Sequence, residues 1–216
     1  MAPSLEAANE LIRDPTTRAL VSDLDGVLRV FDQTLWTELD AGLGLDEGVS
    51  LRAVLGNAIL HDVVRGRASF EEWRETAIAA LIDEGIDREA AQQAVRKWAD
   101  TPAHVDERVR SLLLEARSLG LEVLVLTNGT DRIRDEVARL DIRDVVGEDA
   151  EYLLSSHQIG FAKPERQAYE AAHSRLMQAI GTGIDPAQVV FLDDTARNVD
   201  AARQFGWRAV HHTTRA

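Results

Sequence analysis

The sequence predicts an α/β fold in which a Rossmann-like parallel sheet is flanked by helices. Three short apolar runs, residues 19–22, 122–126 and 188–192, indicate strands, because strands buried on both faces read as brief β-branched or leucine-rich segments. Helical patterns alternate with strands in the second half of the chain, which is typical of βαβ units. A long, nearly all-helical stretch after the first strand predicts an inserted helical bundle.

The inserted segment is predicted from its helix starts and its return point. Ser69 followed by Glu72 is a capping-box signature that opens a helix to Leu81, and Asp87 opens another through Trp98. The run 100–102 ends in proline, which biases the preceding residue away from helix. We therefore expect two domains, a core of residues 1–32 and 103–216 and a helical insertion of residues 33–102.

The remaining elements complete the core. Helical patterns cover residues 106–118, 131–140, 165–180 and 196–205, and a glycine follows three of them at Gly120, Gly181 and Gly206, as expected at helix ends. Residues 152–155 and 208–211 are weaker strand candidates. These elements predict a parallel sheet of five strands.

Composition excludes several classes of protein. The 216 residues carry 24 Lys and Arg against 37 Asp and Glu, a formal charge of −13, and there is no cysteine. Nucleic-acid affinity comes mostly from clustered cations, so we expect no nucleic-acid partner, and missing thiols exclude cysteine chemistry. No apolar run reaches the roughly 18 residues of a membrane helix. We expect a cytoplasmic protein, monomeric or homodimeric, without a membrane partner.

Polar side chains stand where the predicted strands end. The first strand leads into Asp23 and Asp25, the second into Thr127 and Asn128, and the strand at 188–192 into Asp193 and Asp194; Lys163 follows the candidate at 152–155 after a loop. Open parallel sheets bind ligands outside the carboxyl ends of their strands. Clustered carboxylates need a cation, and an all-oxygen ligand set suits Mg²⁺. The pattern therefore predicts a magnesium site at this edge.

Four segments together carry a family resemblance. They are residues 21–28 (VSDLDGVL), 126–129 (LTNG), 155–164 (SSHQIGFAKP) and 191–199 (FLDDTARNV). In this order the chain resembles the haloacid dehalogenase superfamily, in the branch with a helical cap domain inserted after the first strand.

The resemblance implies a role for each residue. Asp23 would be the nucleophile that forms an aspartyl-phosphate, and Asp25 the general acid and then the general base. Thr127 and the backbone of Asn128 would hold phosphoryl oxygens, and Lys163 would neutralise charge. Mg²⁺ would bind Asp23, the carbonyl of Asp25, and Asp194 or Asp193, whose order the sequence leaves open.

The resemblance also implies a reaction class. Dehalogenating members lack an acid two positions after the nucleophile, because a halide needs no proton, so Asp25 favours phosphate-ester hydrolysis. We expect a Mg²⁺-dependent phosphatase acting on a small phosphorylated metabolite. A phosphosugar mutase, which would return the phosphoryl group to the substrate, and a non-catalytic binding or regulatory member are the alternatives.

Several residues outside the four segments are weaker candidates. The candidates to face the substrate in the insertion are Trp36, His61, Arg65, Arg67 and Trp73. For Trp73 a place in the insertion's core is the stronger expectation, and for Arg65 and Arg67 a place on its solvated surface. In the core, Arg29 follows the two acids closely enough to reach an anionic leaving group. Asn198, one helical turn beyond Asp194, is expected to hydrogen-bond to the acidic loop.

Overall fold

A five-stranded parallel sheet forms the centre of the protein. The computed structural model describes residues 3–213. The strands are β1 (Ala19–Ser22), β4 (Glu122–Thr127), β5 (Leu153–Ser155), β6 (Val189–Asp193) and β7 (Arg208–His211), in the order β5-β4-β1-β6-β7. β1 is therefore central, flanked by β4 and β6 in parallel register. The predicted α/β class with its parallel sheet is confirmed.

Helices cover both faces of this sheet. Those of the core are α1 (Pro3–Ile12), α7 (Glu107–Ser118), α8 (Ile133–Arg139), α9 (Arg143–Val146), α10 (Ser156–Ile159), α11 (Arg166–Ile180) and α12 (Ala196–Phe205). One face packs Leu20, Val123 and Val190 against α1 and α7, and the other packs Val21 and Phe191 against α11 and α12. Alternate residues of each strand thus face opposite layers, as a doubly covered sheet requires.

The residues between β1 and β4 are mostly helical and have a hydrophobic cluster of their own. They form α2 (Leu35–Leu43), α3 (Val49–Leu55), α4 (Leu60–Val63), α5 (Phe70–Asp83) and α6 (Arg88–Asp100). Trp73 packs edge-on against Phe70 and Trp98 inside this cluster, and its indole N–H donates to the carbonyl of Val54 at 2.9 Å. The capping box of Ser69 and Glu72 is present. We call residues 35–100 the helical part.

A short two-stranded ribbon joins the helical part to the sheet. β2 (Arg29–Phe31) leaves the core and pairs antiparallel with β3 (Ala103–Val105), which returns to it. The sequence analysis had assigned neither strand, because three residues are too few for an alternating pattern. The ribbon places the exit and the return of the chain side by side.

The predicted elements differ from the observed ones mainly at their ends. The helix expected over 131–140 is shorter, running from Ile133 to Arg139, and α1 and α9 had not been predicted. The strand expected at 188–192 is displaced by one residue, because a 3₁₀ turn at Pro186–Gln188 precedes it. None of these differences moves the strand ends that carry the polar side chains.

Candidate active site

The carboxyl ends of three neighbouring strands bring the predicted polar residues together. Ser22 is in register with Val125 on one side and Leu192 on the other. The chain therefore leaves β1 at Asp23 beside the ends of β4 and β6, which carry Thr127 and Asp193. Oxygens of Asp23, Asp193 and Asp194 lie within 4.8 Å of one another. Fold topology alone assembles these three acids.

Lys163 lies between two of the acids. Its Nζ is 2.8 Å from Oδ2 of Asp23 and 2.7 Å from Oδ2 of Asp193, and all three side chains are buried. One positive charge thus faces two negative charges in a site with little water. The trio keeps an excess of negative charge when all its groups are ionised.

This imbalance shifts the pKa values of the trio. Burial raises the pKa of the Asp23 carboxyl well above its usual range; Lys163 opposes the rise, and the charges of Asp193 and Asp25 add to it. Burial by itself would lower the pKa of the Lys163 ammonium, but the two carboxylates outweigh it and the pKa is raised. A further cation would relieve the remaining negative charge.

Both oxygens of the Asp193 carboxylate already accept hydrogen bonds. Besides Lys163, its carboxylate accepts from the amide of Thr195 at 2.8 Å and from Nδ2 of Asn198 at 3.1 and 3.2 Å. It is fully buried. The hydrogen bond expected from Asn198 to the acidic loop is therefore present, and it holds Asp193 in place.

Asp194 differs from its neighbour because it is exposed and lines the cleft. Partial burial and the negative charge of Asp193 raise the pKa of its carboxyl. Gly26, at φ 75°, lies directly against this carboxylate: a Cβ at position 26 would be 1.9 Å from Oδ2 of Asp194. Only glycine both adopts this backbone conformation readily and leaves that space open.

Asp25 is held by an arginine from the ribbon. Both of its oxygens accept from Arg29, one of them from Nη2 at 2.8 Å, and Nη1 of Arg29 donates to Glu136 at 2.7 Å. The Arg29 side chain is buried, and although burial opposes it, these carboxylates raise its pKa. The expectation that Arg29 reaches an anionic leaving group is wrong, because two acids already occupy its guanidinium.

Thr127 and Asn128 follow β4 and serve different purposes. The hydroxyl of Thr127 is buried and has no hydrogen-bond partner among residues 3–213, which is unusual for a buried polar atom. The side chain of Asn128 binds the backbone of Lys163 twice, accepting from its amide at 2.8 Å and donating to its carbonyl at 2.9 Å. These two hydrogen bonds hold the loop that carries Lys163 at the end of β4. The sequence did not predict this role of the Asn128 side chain.

These residues open into a cleft of about 890 Å³ between the sheet edge and the helical part. Asp23, Asp25, Thr127, Asn128 and Asp194 line the side formed by the core. The volume lies within the range of roughly 300–1,000 Å³ that small-molecule sites occupy. The geometry can hold a compact anion at the acids only together with a cation.

The candidate residues of the insertion lie in different surroundings in the structure. Trp36 and Trp73 line the cleft, and Trp73 also belongs to the cluster expected for it. His61 is exposed and is not among the described residues that line the cleft. Arg67 is solvated as expected, whereas Arg65 is buried and pairs with Glu165 of the core at 3.2 Å. The solvated position predicted for Arg65 is wrong because the turn after α4 lies against the core: a Cβ at Gly66 would be 2.6 Å from the carbonyl oxygen of His157.

Two further charged residues of the site escaped the sequence analysis. Glu136 binds Arg29 from α8, and the guanidinium carbon of Arg132 lies 4.4 Å from the centre of the Phe70 ring. Arg132 and Glu136 follow the Thr-Asn-Gly turn in the sequence. They belong to the helical pattern of residues 131–140, whose charged residues are expected to be solvated. Only the fold brings them against the ribbon and the helical part.

Comparison with known proteins agrees with this architecture. A family model described as haloacid dehalogenase-like hydrolase matches residues 17–206. The chain is 30% identical over 200 residues to "Phosphatase MT3486" of Mycobacterium tuberculosis, covering 88% of this chain and 85% of that protein. Among the described residues, no helix has the length and apolar character needed to cross a membrane.

Solved structures share the fold at low sequence identity. A HAD family enzyme of Bacteroides thetaiotaomicron, in complex with magnesium and inorganic phosphate, superposes with a TM-score of 0.66 at 20% identity, covering 93% of this chain and 96% of that one. The L-2-haloacid dehalogenase of Xanthobacter autotrophicus gives 0.56 at 20% identity, covering 89% and 76%. Likeness at this level extends to the fold alone; the second neighbour is named as a dehalogenase, whereas the name of the first states no reaction.

Proposed function

Since the chain belongs to the haloacid dehalogenase-like hydrolase family, we propose that it is a Mg²⁺-dependent phosphatase that hydrolyses a small phosphate monoester through an aspartyl-phosphate. The observation that carries the proposal is the contact between Lys163 and Asp23, in a cleft that is also lined by Thr127, whose hydroxyl has no partner within residues 3–213. The name of the Mycobacterium tuberculosis relative supports the same reaction class. Residues 33–102 would form the cap domain over the site.

The acids fit a magnesium ion. Asp23 and Asp194 offer oxygens to the cleft, and Gly26 leaves space beside Asp194. Asp193 is the weaker ligand candidate because Lys163, Thr195 and Asn198 already occupy its oxygens. We therefore assign the direct contact to Asp194, and a contact through its carbonyl to Asp25. When bound, the ion would supply positive charge to the phosphoryl oxygens.

The first half of the reaction uses Asp23 as the nucleophile. Its carboxylate would attack phosphorus while the bond to the ester oxygen breaks, and Asp25 would donate a proton to the departing alkoxide. Lys163 and the amide of Leu24, 2.6 Å from Oδ1, fix the orientation of the Asp23 carboxylate. The hydroxyl of Thr127 and the backbone of Asn128 would donate to the transferring phosphoryl group.

The second half returns the enzyme to its starting state. Asp25, now ionised, would take a proton from a water molecule that attacks the phosphoryl group on Asp23. The bond between Asp23 and phosphorus breaks, and inorganic phosphate leaves. Arg29 binds both oxygens of Asp25 in this structure, which suits the carboxylate that takes a proton from water. One of these two contacts would open when the carboxyl carries the proton that it donates to the alkoxide.

A proton donor distinguishes ester hydrolysis from dehalogenation. An alkoxide leaving group needs a proton, whereas a halide leaves as a stable anion. The aspartate at position 25, and the arginine that holds it, therefore favour the phosphate ester. We expect phosphate release from esters and no chloride release from 2-chloropropionate.

Replacing Asp23 tests the nucleophile. Asp23→Asn should lower hydrolysis of p-nitrophenyl phosphate with Mg²⁺ by at least about a thousandfold, since an amide is a poor nucleophile. Asp46→Asn is the matched control, because Asp46 is exposed in the helical part, away from the cleft. The wild type should also lose activity when Mg²⁺ is chelated. Activity retained by Asp23→Asn would refute the assignment, and phosphate release insensitive to chelator would refute the metal.

A further inference from the structure

The cleft has two unlike sides. The polar side is the sheet edge with its acids and Thr127, described above. The opposite side, which we call the apolar wall, consists of cleft-lining side chains from the helical part, mainly Leu35, Trp36, Leu55, Leu60, Phe70 and Trp98. A phosphoryl group bound at the acids leaves the rest of its ester facing the apolar wall.

The apolar wall contains a group of aromatic side chains. The rings of Phe70 and Trp98 are stacked, with centroids 5.5 Å apart and planes 23° apart. Trp36 and Trp98 are half-buried, so part of each indole surface remains open to the cleft. Surfaces of this kind bind planar or aliphatic groups through apolar burial and ring contacts.

The charges on this side are negative. None of the described residues from 31 to 103 that line the cleft is a lysine, arginine or histidine, whereas Asp32 and Asp100 are acidic. Hydrogen bonds from the backbone and side chain of Thr34 lower the pKa of Asp32, so it stays ionised. A second anionic group on the substrate would be repelled here.

The cations on the core side of the cleft do not offset this repulsion of a second anionic group. Arg29 is occupied by Asp25 and Glu136. Arg132 lies over the ring of Phe70, where its guanidinium extends the aromatic surface. Arg139 lines the cleft from the core and is exposed, so solvent screens its charge as it screens the charges of Asp32 and Asp100. The two acids differ from it in lying on the side of the cleft that carries the apolar wall.

Resting on the proposed phosphatase function, we propose that the substrate is a phosphate monoester of an uncharged alcohol with an apolar body. The apolar wall would hold that body, and Asp32 and Asp100 would exclude esters that carry a carboxylate or a second phosphate. A cleft of about 890 Å³ has room for a group much larger than phosphate. Trp36 and Leu55 are then specificity-determining residues.

Three phosphate esters test whether the substrate carries an apolar, a polar or an anionic group. All three are esters of primary alcohols, so their leaving groups are chemically similar. They are 2-phenylethyl phosphate, glycerol 1-phosphate and phosphoglycolate, with kcat/KM measured by phosphate release with Mg²⁺. We expect the phenylethyl ester to be preferred about tenfold or more over each of the others, the scale of selectivity that apolar pockets reach. Trp36→Ala should reduce this preference.

A charge placed in the apolar wall gives a second measurement that does not require removing a packed side chain. Leu55 lines the cleft and is 44% exposed, whereas Leu51, on the same helix, is 38% exposed and does not line it. Leu55→Arg should shift the kcat/KM ratio toward phosphoglycolate by about fivefold. Leu51→Arg should leave the ratio unchanged.

The results distinguish this inference from the function on which it rests. If neither p-nitrophenyl phosphate nor any of the three esters releases phosphate, the phosphatase proposal fails. If only p-nitrophenyl phosphate does, the substrate class is wrong and the phosphatase proposal stands. If phosphate is released but phosphoglycolate or glycerol phosphate is hydrolysed as well as the phenylethyl ester, the substrate class is wrong and the phosphatase proposal stands. An equal shift of the ratio by Leu51→Arg and Leu55→Arg would refute the role of the apolar wall.

Discussion

Removing the buried ammonium of Lys163 should destabilise the fold as well as stop the reaction. Its side chain is 1% exposed and those of its partners Asp23 and Asp193 are 9% and 0% exposed. Removing one partner of a buried ion pair costs about 3–5 kcal/mol. Lys163→Met keeps the aliphatic volume, and Asp193 retains its bonds from Asn198 and Thr195, so we expect about 3 kcal/mol, the lower end of that range.

The assay is urea unfolding at neutral pH with chelator present. The matched control is Lys97, the other lysine of the chain, which is about half exposed and pairs with Glu38 at 2.8 Å on the surface. Lys97→Met should change the free energy of unfolding by less than about 1 kcal/mol. A loss for Lys163→Met no larger than for Lys97→Met would refute the claim that the trio depends on its cation.

The pH dependence of the same variant gives an independent check. Without the ammonium, the folded state gains stability by protonating a buried carboxylate whose pKa is already raised at Asp23. The folded state then binds more protons than the unfolded state, so stability falls as pH rises. The loss caused by Lys163→Met should therefore be larger at about pH 8 than at about pH 5. Adding Asp193→Asn should recover part of it, because one uncompensated charge is removed.

Two other changes test the geometry around the acids. Gly26→Ala should destabilise the fold by about 1–2 kcal/mol and weaken Mg²⁺ binding in calorimetry, because its Cβ would collide with Asp194. The control is Gly42→Ala, in a helix, where a Cβ would meet nothing within 4 Å; it should be neutral or stabilising. Equal effects of the two substitutions would contradict the reasoning. Arg29→Lys should lower kcat about tenfold with little change in KM, since an ammonium cannot bind both oxygens of Asp25 as the guanidinium does; an unchanged kcat would show that the grip is dispensable.

The sequence was sufficient for features written in local patterns. The strands predicted at 19–22, 122–126 and 188–192 are short apolar runs, and the acids follow the ends of the first and third directly, so the meeting of Asp23 with Asp193 follows from parallel topology. The hydrogen bond from Asn198 was likewise within one helical turn of its partner's loop. Each of these features depends on a short segment of sequence and on the rule that the carboxyl ends of parallel strands meet at one edge of the sheet.

Contacts between distant segments were beyond such reasoning. Arg29 and Glu136 are 107 residues apart, and Arg65 and Glu165 are 100 apart. No periodicity links such pairs, and a charged residue after a turn reads as solvated surface until a fold places an acid beside it. For this reason Arg65 was expected at the solvated surface, and Glu136 was not recognised as the partner of Arg29.

The two-stranded ribbon connects the helical part to the proposed acid of the reaction. Arg29 is the first residue of β2 and also binds both oxygens of Asp25, so the strand that leads into the helical part and the contact with Asp25 share one side chain. Arg29 also binds Glu136 on α8. We therefore expect substitutions that shift β2 to change turnover as well as substrate affinity.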